Sequence, residues 1–193
     1  MDASLVFAQF LSGLSRGMML FLIASGLSLI FGVMNILNFA HATLWLVGAY
    51  FCYTFWFLMQ DYGFGLWLSI PLAALVLAAF GWVIEVVLIR RVYKRELPEQ
   101  LLLTYAMVLI LGDLIKIIWG VEDRLIERPP LVANPVFIFG MPFDSYFIFV
   151  IIVGFAVAIG LWWFLKKTRY GHIVRAAVFS REMVSALGIP IPR

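Results

Sequence analysis

Asn35, Asn38 and His41 follow one another at three-residue spacing inside the stretch NILNFAHATLWLVGAY, between two long apolar runs. Asparagine amides can donate and accept hydrogen bonds, and an imidazole changes charge near neutral pH. Gly32 ends the first apolar run and is expected to be a helix C-cap. Asn38 is expected to be the N-cap of the next helix. Between them lies only uncharged sequence, whereas a loop that reaches the cytoplasm normally carries basic residues. The break is therefore expected within the depth of a membrane. Irregular backbone is tolerated there where it is buried in protein or lines a cavity. Broken helices of this kind form transporter sites, the half-helix N-terminus offering amides and a positive dipole end to an anion. A tight turn between packed helices, with the asparagines serving only as caps, fits the same residues equally well. His41 lies one turn before Trp45 and reads as a substrate contact, a proton-sensitive group, or a neutral imidazole bonded to a backbone carbonyl; the last is favoured.

Few other charges interrupt the apolar runs. Arg16 falls midway along the first, open to snorkelling, pairing with Glu85 or facing a polar path. Glu85 is near enough to Arg90 to meet it. Asp113 and Lys116, three apart on one helix, are expected to neutralise each other. The tail KKTRYGHIVRAAVFSREMVSALGI leaves the last apolar run with Lys166, Lys167 and Arg169, then becomes amphipathic. Val174, Ala177, Val178, Val184 and Leu187 alternate with Arg175, Ser180, Arg181 and Glu182, bracketed by Gly171 and Gly188. Such a helix lies on a membrane surface or docks in a partner's groove. No GxxxxGK[ST] loop, catalytic triad, carboxylate pair or metal-ligand spacing occurs. Neither an enzyme nor a cofactor is expected, and the single cysteine, Cys52, excludes an intrachain disulfide.

The elements that position these residues follow from composition. The 193 residues are 64% hydrophobic and only 13% charged, about half the charged share of a soluble domain; mean hydropathy is +1.03. Long unbroken apolar runs point to an all-α polytopic membrane protein rather than a barrel, because lipid offers no partner to an open backbone. Five spans are expected, at about residues 5–33, 39–59, 64–89, 99–119 and 143–165. Pro98 suits the first turn of the fourth, where no amide donor is needed. The basic loop Arg90, Arg91, Lys94, Arg95 and the basic tail are expected in the cytoplasm. That leaves the stretch Gly120–Pro142 and the N-terminus outside. Without a basic n-region, no cleavable leader is expected. Small residues at four-residue spacing, Gly13/Gly17, Ala74/Ala78, Gly154/Ala158 and Ala156/Gly160, are expected to pack helices closely.

Two stretches together resemble one family, the membrane permease subunits of branched-chain amino acid ABC transporters of the LivH type. The first comprises Gly13, Leu14, Phe31, Gly32, Asn38–His41 and Gly48–Tyr50. The second comprises Thr168, Arg169, Gly171, Arg175, Ala176 and Leu187–Ile189. The chain departs from the family where Ala42 and Thr43 follow the motif histidine, usually followed by glycine, and at Val184, where alanine is common. The resemblance implies an ATP-driven importer whose pathway includes Gly32, Asn35, Asn38, His41 and Thr43. It implies that residues 168–189 form the cytoplasmic coupling helix, with Thr168, Arg169, Gly171, Arg175, Ala176, Glu182 and Gly188 facing the ATPase. The implied partners are cytoplasmic ATPase subunits, a second permease subunit, an external substrate-binding protein and the bilayer; no nucleic acid is expected. The implied cargo is a branched-chain or related amino acid, and the location a bacterial or archaeal cytoplasmic (inner) membrane. A permease for another small solute (urea or amide, aromatic or other carboxylate) or a self-contained channel or ion-coupled carrier stands as the alternative. Family members continue with further helices, so residues 1–193 are expected to form a single, incomplete transmembrane domain.

Overall fold

A computed structural model describes the protein at residues 3–34, 37–62, 65–93, 95–126, 134–138, 141–179 and 184. Five helices are each long and apolar enough to cross a bilayer: α1 (Ala3–Met34), α2 (His41–Met59), α3 (Gly65–Ile84), α4 (Leu97–Trp119) and α5 (Ser145–Lys167). A shorter helix, α6 (Arg169–Phe179), follows. The chain is an all-α polytopic membrane protein, and the five expected spans agree with α1–α5 to within a few residues.

The differences have local causes. The third span does not keep α geometry to Ile89: α3 ends at Ile84, passes through a π-helical turn at Glu85–Ile89, and closes with an α turn at Arg90–Val92. Phe143, expected to open the fifth span, lies instead in a small antiparallel hairpin. In it β1 (Val136–Ile138) pairs with β2 (Met141–Phe143), Val136 opposite Phe143. Helix α5 starts only at Ser145, because the Asp144 carboxylate accepts the Tyr146 amide at 3.0 Å and caps the first turn.

The chain forms two compact units, one inserted in the sequence of the other: residues 1–35 with 128–193, and residues 36–127. In the inserted unit α2 and α3 make a helical hairpin. Tyr62 N donates to Met59 O at 2.9 Å and Gly65 N to Tyr62 O at 2.8 Å. Gly65 is buried there; a Cβ would lie 2.5 Å from Met59 O, so the turn admits only glycine without shifting. Farther along, a Cβ on Gly48 would stand 2.7 Å from Leu77 Cδ2, the close approach that small residues permit. Helix α4 buries the stripe Gln100, Thr104, Met107, Leu111 and Ile115, spaced at three and four residues, and Pro98 occupies its first turn as expected. Its last residue, Trp119, donates from the indole to Thr54 Oγ1 at 2.8 Å and packs its ring 5.2 Å from that of Tyr50.

In the other unit α1 packs along α5, and α6 contacts both. Gly154 is buried at the α1–α5 seam, where a Cβ would fall 2.8 Å from Met18 Sδ. The remaining small-residue pairs do not pack in this way. Nothing lies within 4 Å of a Cβ built on Gly13, Gly17 or Gly160, and Ala74, Ala78 and Ala156 are exposed. Among the expected pairs in the described residues, Gly154 is the one at which a helix packs this closely.

Candidate functional site

Helix α1 runs past the glycine expected to close it. Gly32 is not a C-cap: α1 runs on to Met34, so Gly32 keeps helical geometry inside the last turn. The single left-handed glycine among the described residues is Gly120, φ +87°. Asn35 lies outside the described residues. Asn38 is not the N-cap of α2: it lies two residues before it and bonds the N-cap's own amide, as in an Asx turn. It is buried, its Oδ1 accepts the Ala40 amide at 3.0 Å, and its carbonyl accepts the His41 amide at 3.2 Å. The formal N-cap of α2 is Ala40, whose carbonyl accepts Leu44 N at 2.8 Å. A side chain that satisfies a helix-entry amide lets irregular backbone persist in a low-dielectric setting. His41 and Thr43 occupy the first turn of α2, both half-buried. The favoured carbonyl-bonded imidazole is not found at His41 among the described residues. It is found at His172, whose Nδ1 lies 2.7 Å from Thr168 O. A carbonyl can only accept, so the proton sits on Nδ1.

The second constellation is the corner between α5 and α6. Thr168 is extended (φ −103°, ψ 152°), and its hydroxyl works in both directions. It donates to Phe164 O at 2.6 Å and accepts the Gly171 amide at 3.0 Å, capping α6 at its third residue. The Thr168 amide closes α5 on Phe164 O at 3.2 Å, and its carbonyl receives His172 N at 3.1 Å. Gly171 is therefore not a bracket outside the amphipathic helix but part of its first turn. A Cβ there would collide with Phe164 O and stand 2.6 Å from Leu165 Cα, so the corner closes only on a bare backbone. Arg169, His172, Arg175 and Ala176 are exposed and recur at helical spacing, while Gly171 and Ala177 are buried. Glu182 and Gly188 lie outside the described residues; Val184 is buried.

These two places meet within one unit. A Cβ on Gly32 would lie 3.5 Å from Val178 Cγ2, ordinary van der Waals contact, so the last turn of α1 is seated on α6. By sequence alone Val178 is one apolar residue of an amphipathic stripe. Its partner is invisible to spacing because the two residues lie far apart in the chain.

The charges inside the spans separate cleanly. Glu85 Oε1 accepts from Tyr93 Oη at 2.6 Å and Oε2 from Arg90 at 3.4 Å, so this carboxylate serves the π-helical end of α3. Asp113 and Lys116 pair at 3.0 Å as their spacing requires. Arg16 is exposed on α1 and pairs with no acid among the described residues.

Residues 9–193 match the family model described as the branched-chain amino acid transport system / permease component. The high-affinity branched-chain amino acid transport system permease protein BraD of Pseudomonas aeruginosa is 29% identical over 195 residues, covering 94% of this chain and 62% of its own length. The corresponding LivH of Escherichia coli K12 is 26% identical, with 96% and 63% covered. A probable branched-chain amino acid permease, LivH of Methanocaldococcus jannaschii, is 27% identical, with 91% and 56% covered. The chain thus spans about six-tenths of the length of these relatives. No solved structure matches it.

Proposed function

Because the chain belongs to the branched-chain amino acid transport system / permease component family, we propose that it acts in a permease subunit of an ATP-driven importer of branched-chain or related amino acids. In this reading ATP is hydrolysed by separate cytoplasmic subunits, and the permease supplies the path and the moving parts. The basic loop around Arg90 and the basic tail lie on the cytoplasmic side of the inner membrane. The N-terminus and the Gly120–Pro142 stretch then lie outside, the latter meeting a substrate-binding protein, and a second permease subunit completes the pathway.

The observation that carries this reading is the seat of α6. The Thr168–Gly171 corner ties α6 to α5 through the hydroxyl and carbonyl of Thr168. Val178 leans on Gly32 in the last turn of α1. Force applied by an ATPase to the exposed Arg169, His172 and Arg175 face would therefore load two membrane helices at once. Rigid-body rocking of packed helices needs no chemistry in the permease. Asn38, His41 and Thr43 lie at the entry to α2 and are the pathway residues of this reading.

The test is co-purification from native membranes. ATPase subunits should accompany the unmutated protein and be lost from Arg175→Glu, which reverses charge on the exposed face of α6 without touching its buried side. An unmutated protein that brings no ATPase down would overturn the proposal.

A further inference from the structure

After Trp119 the chain reverses. Gly120 adopts φ +87°, which glycine alone accepts without strain, and its amide closes α4 on Lys116 O at 2.9 Å. Arg124 then reaches back and donates from Nε and Nη2 to Trp119 O at 3.3 and 2.9 Å. Trp119 itself is pinned to α2 through Thr54 and Tyr50. The result is an irregular, charged strip running beside α2. It flanks an open-sided cavity of about 330 Å³, lined by Leu46, Ala49, Tyr50 and Tyr53 on one side and by Asp123–Ile126 on the other. The first four recur at three- and four-residue spacing and form one face of α2. Tyr50 is the central residue of α2, roughly 13 Å from either end at 1.5 Å rise per residue.

We propose that this cavity is a binding site for one zwitterionic amino acid with an apolar side chain. The proposal rests on the permease reading above and names a site that reading does not contain. The Asp123 carboxylate takes the ammonium group. Arg124 spends two of its five donors on Trp119 O and keeps the rest for the carboxylate. Leu46, Ala49, Leu125 and Ile126 receive the side chain. The volume lies at the small end of the range for ligand pockets, room for a single small molecule.

The test uses the complete transporter in membranes, with Cys52→Ser removing the native thiol and Leu125→Cys reporting on the cavity. Leu125 is 85% exposed in this chain, so the substitution leaves its packing intact, and labelling of the ligand-free transporter by a water-soluble thiosulfonate is the control for reagent access. L-Leucine at saturating concentration should slow labelling at least fivefold. Asp123→Asn should abolish that protection, and isocaproate, which lacks the ammonium group, should not protect. Equal labelling with and without leucine, protection that survives Asp123→Asn, or protection by isocaproate would each overturn the site. Leucine uptake measured on the same membranes separates the two claims. Intact uptake without protection removes the cavity and leaves the permease, whereas absent uptake and absent ATPase remove the permease reading itself.

Discussion

Replacing Gly171 by alanine tests the corner on which the coupling argument rests. The added methyl would overlap Phe164 O and stand 2.6 and 2.8 Å from Leu165 Cα and C. All three are backbone atoms of α5, so no side chain can swing away. The corner must open or α6 must shift. Opening it breaks the Gly171 N to Thr168 Oγ1 cap and loosens the Thr168–His172 contacts. Loss of an N-cap costs about 1 kcal/mol, and overpacking against an unyielding neighbour costs roughly 1–3 kcal/mol. A local penalty of about 2–4 kcal/mol lowers the population of the seated α6 by roughly 30- to 1,000-fold, at a factor of ten per 1.4 kcal/mol. The assay is a disulfide trap between Gly32→Cys and Val178→Cys in a Cys52→Ser background, with its yield read by mass spectrometry. The Gly171→Ala protein should insert normally, lose most of the trap and lose uptake. Unchanged trapping with unchanged uptake would show that the corner does not hold α6, and the route from ATPase to α1 would have to be abandoned.

Two further substitutions probe other joints. Asn38→Ala removes the acceptor of the Ala40 amide. It should cost about 1 kcal/mol and reduce uptake severalfold with insertion intact, while Asn38→Asp, which keeps the acceptor, should preserve most activity; equal loss in both would refute a role for this hydrogen bond. Gly154→Ala pushes a methyl against the side chain of Met18 and should destabilise the α1–α5 seam by about 1–3 kcal/mol in thermal unfolding. Met18→Ala in the same chain should restore most of that loss, and additive effects would mean that the two residues do not touch.

Apolar run length made the five spans legible, and charge spacing revealed the Asp113–Lys116 pair, because both depend on neighbours a few residues apart. Gly32 misled for a physical reason. A glycine near a helix end usually terminates it in the left-handed region, but here it keeps helical geometry, and its neighbour Val178 comes from the far end of the sequence. Gly171 misled similarly, as its bare backbone faces another helix rather than a turn. The stretch after Gly120 reads as a solvated external loop by composition. That it turns back along α2 depends on the Gly120 dihedral and on Arg124 grasping Trp119 O, neither of which leaves a periodic signature. Glu85 was legible as a partner of Arg90, whereas the π-helical turn that carries it was not, since one extra residue per turn leaves hydropathy unchanged.

The nesting of one unit inside the sequence of the other has a consequence for biogenesis. Helix α1 leaves the ribosome first, yet its packing partner α5 is separated from it by the whole of α2, α3 and α4. At about 5–20 residues per second, the first helix waits on the order of ten seconds in the bilayer before Gly154 can meet Met18. The α2–α3 hairpin, with its short Gly65 turn, can close while that wait continues. The nascent chain is thus obliged to complete its inner unit before its outer one. During that interval α1 depends on lipid or on the insertion machinery for company, and a destabilised seam would be exposed to membrane quality control at this step.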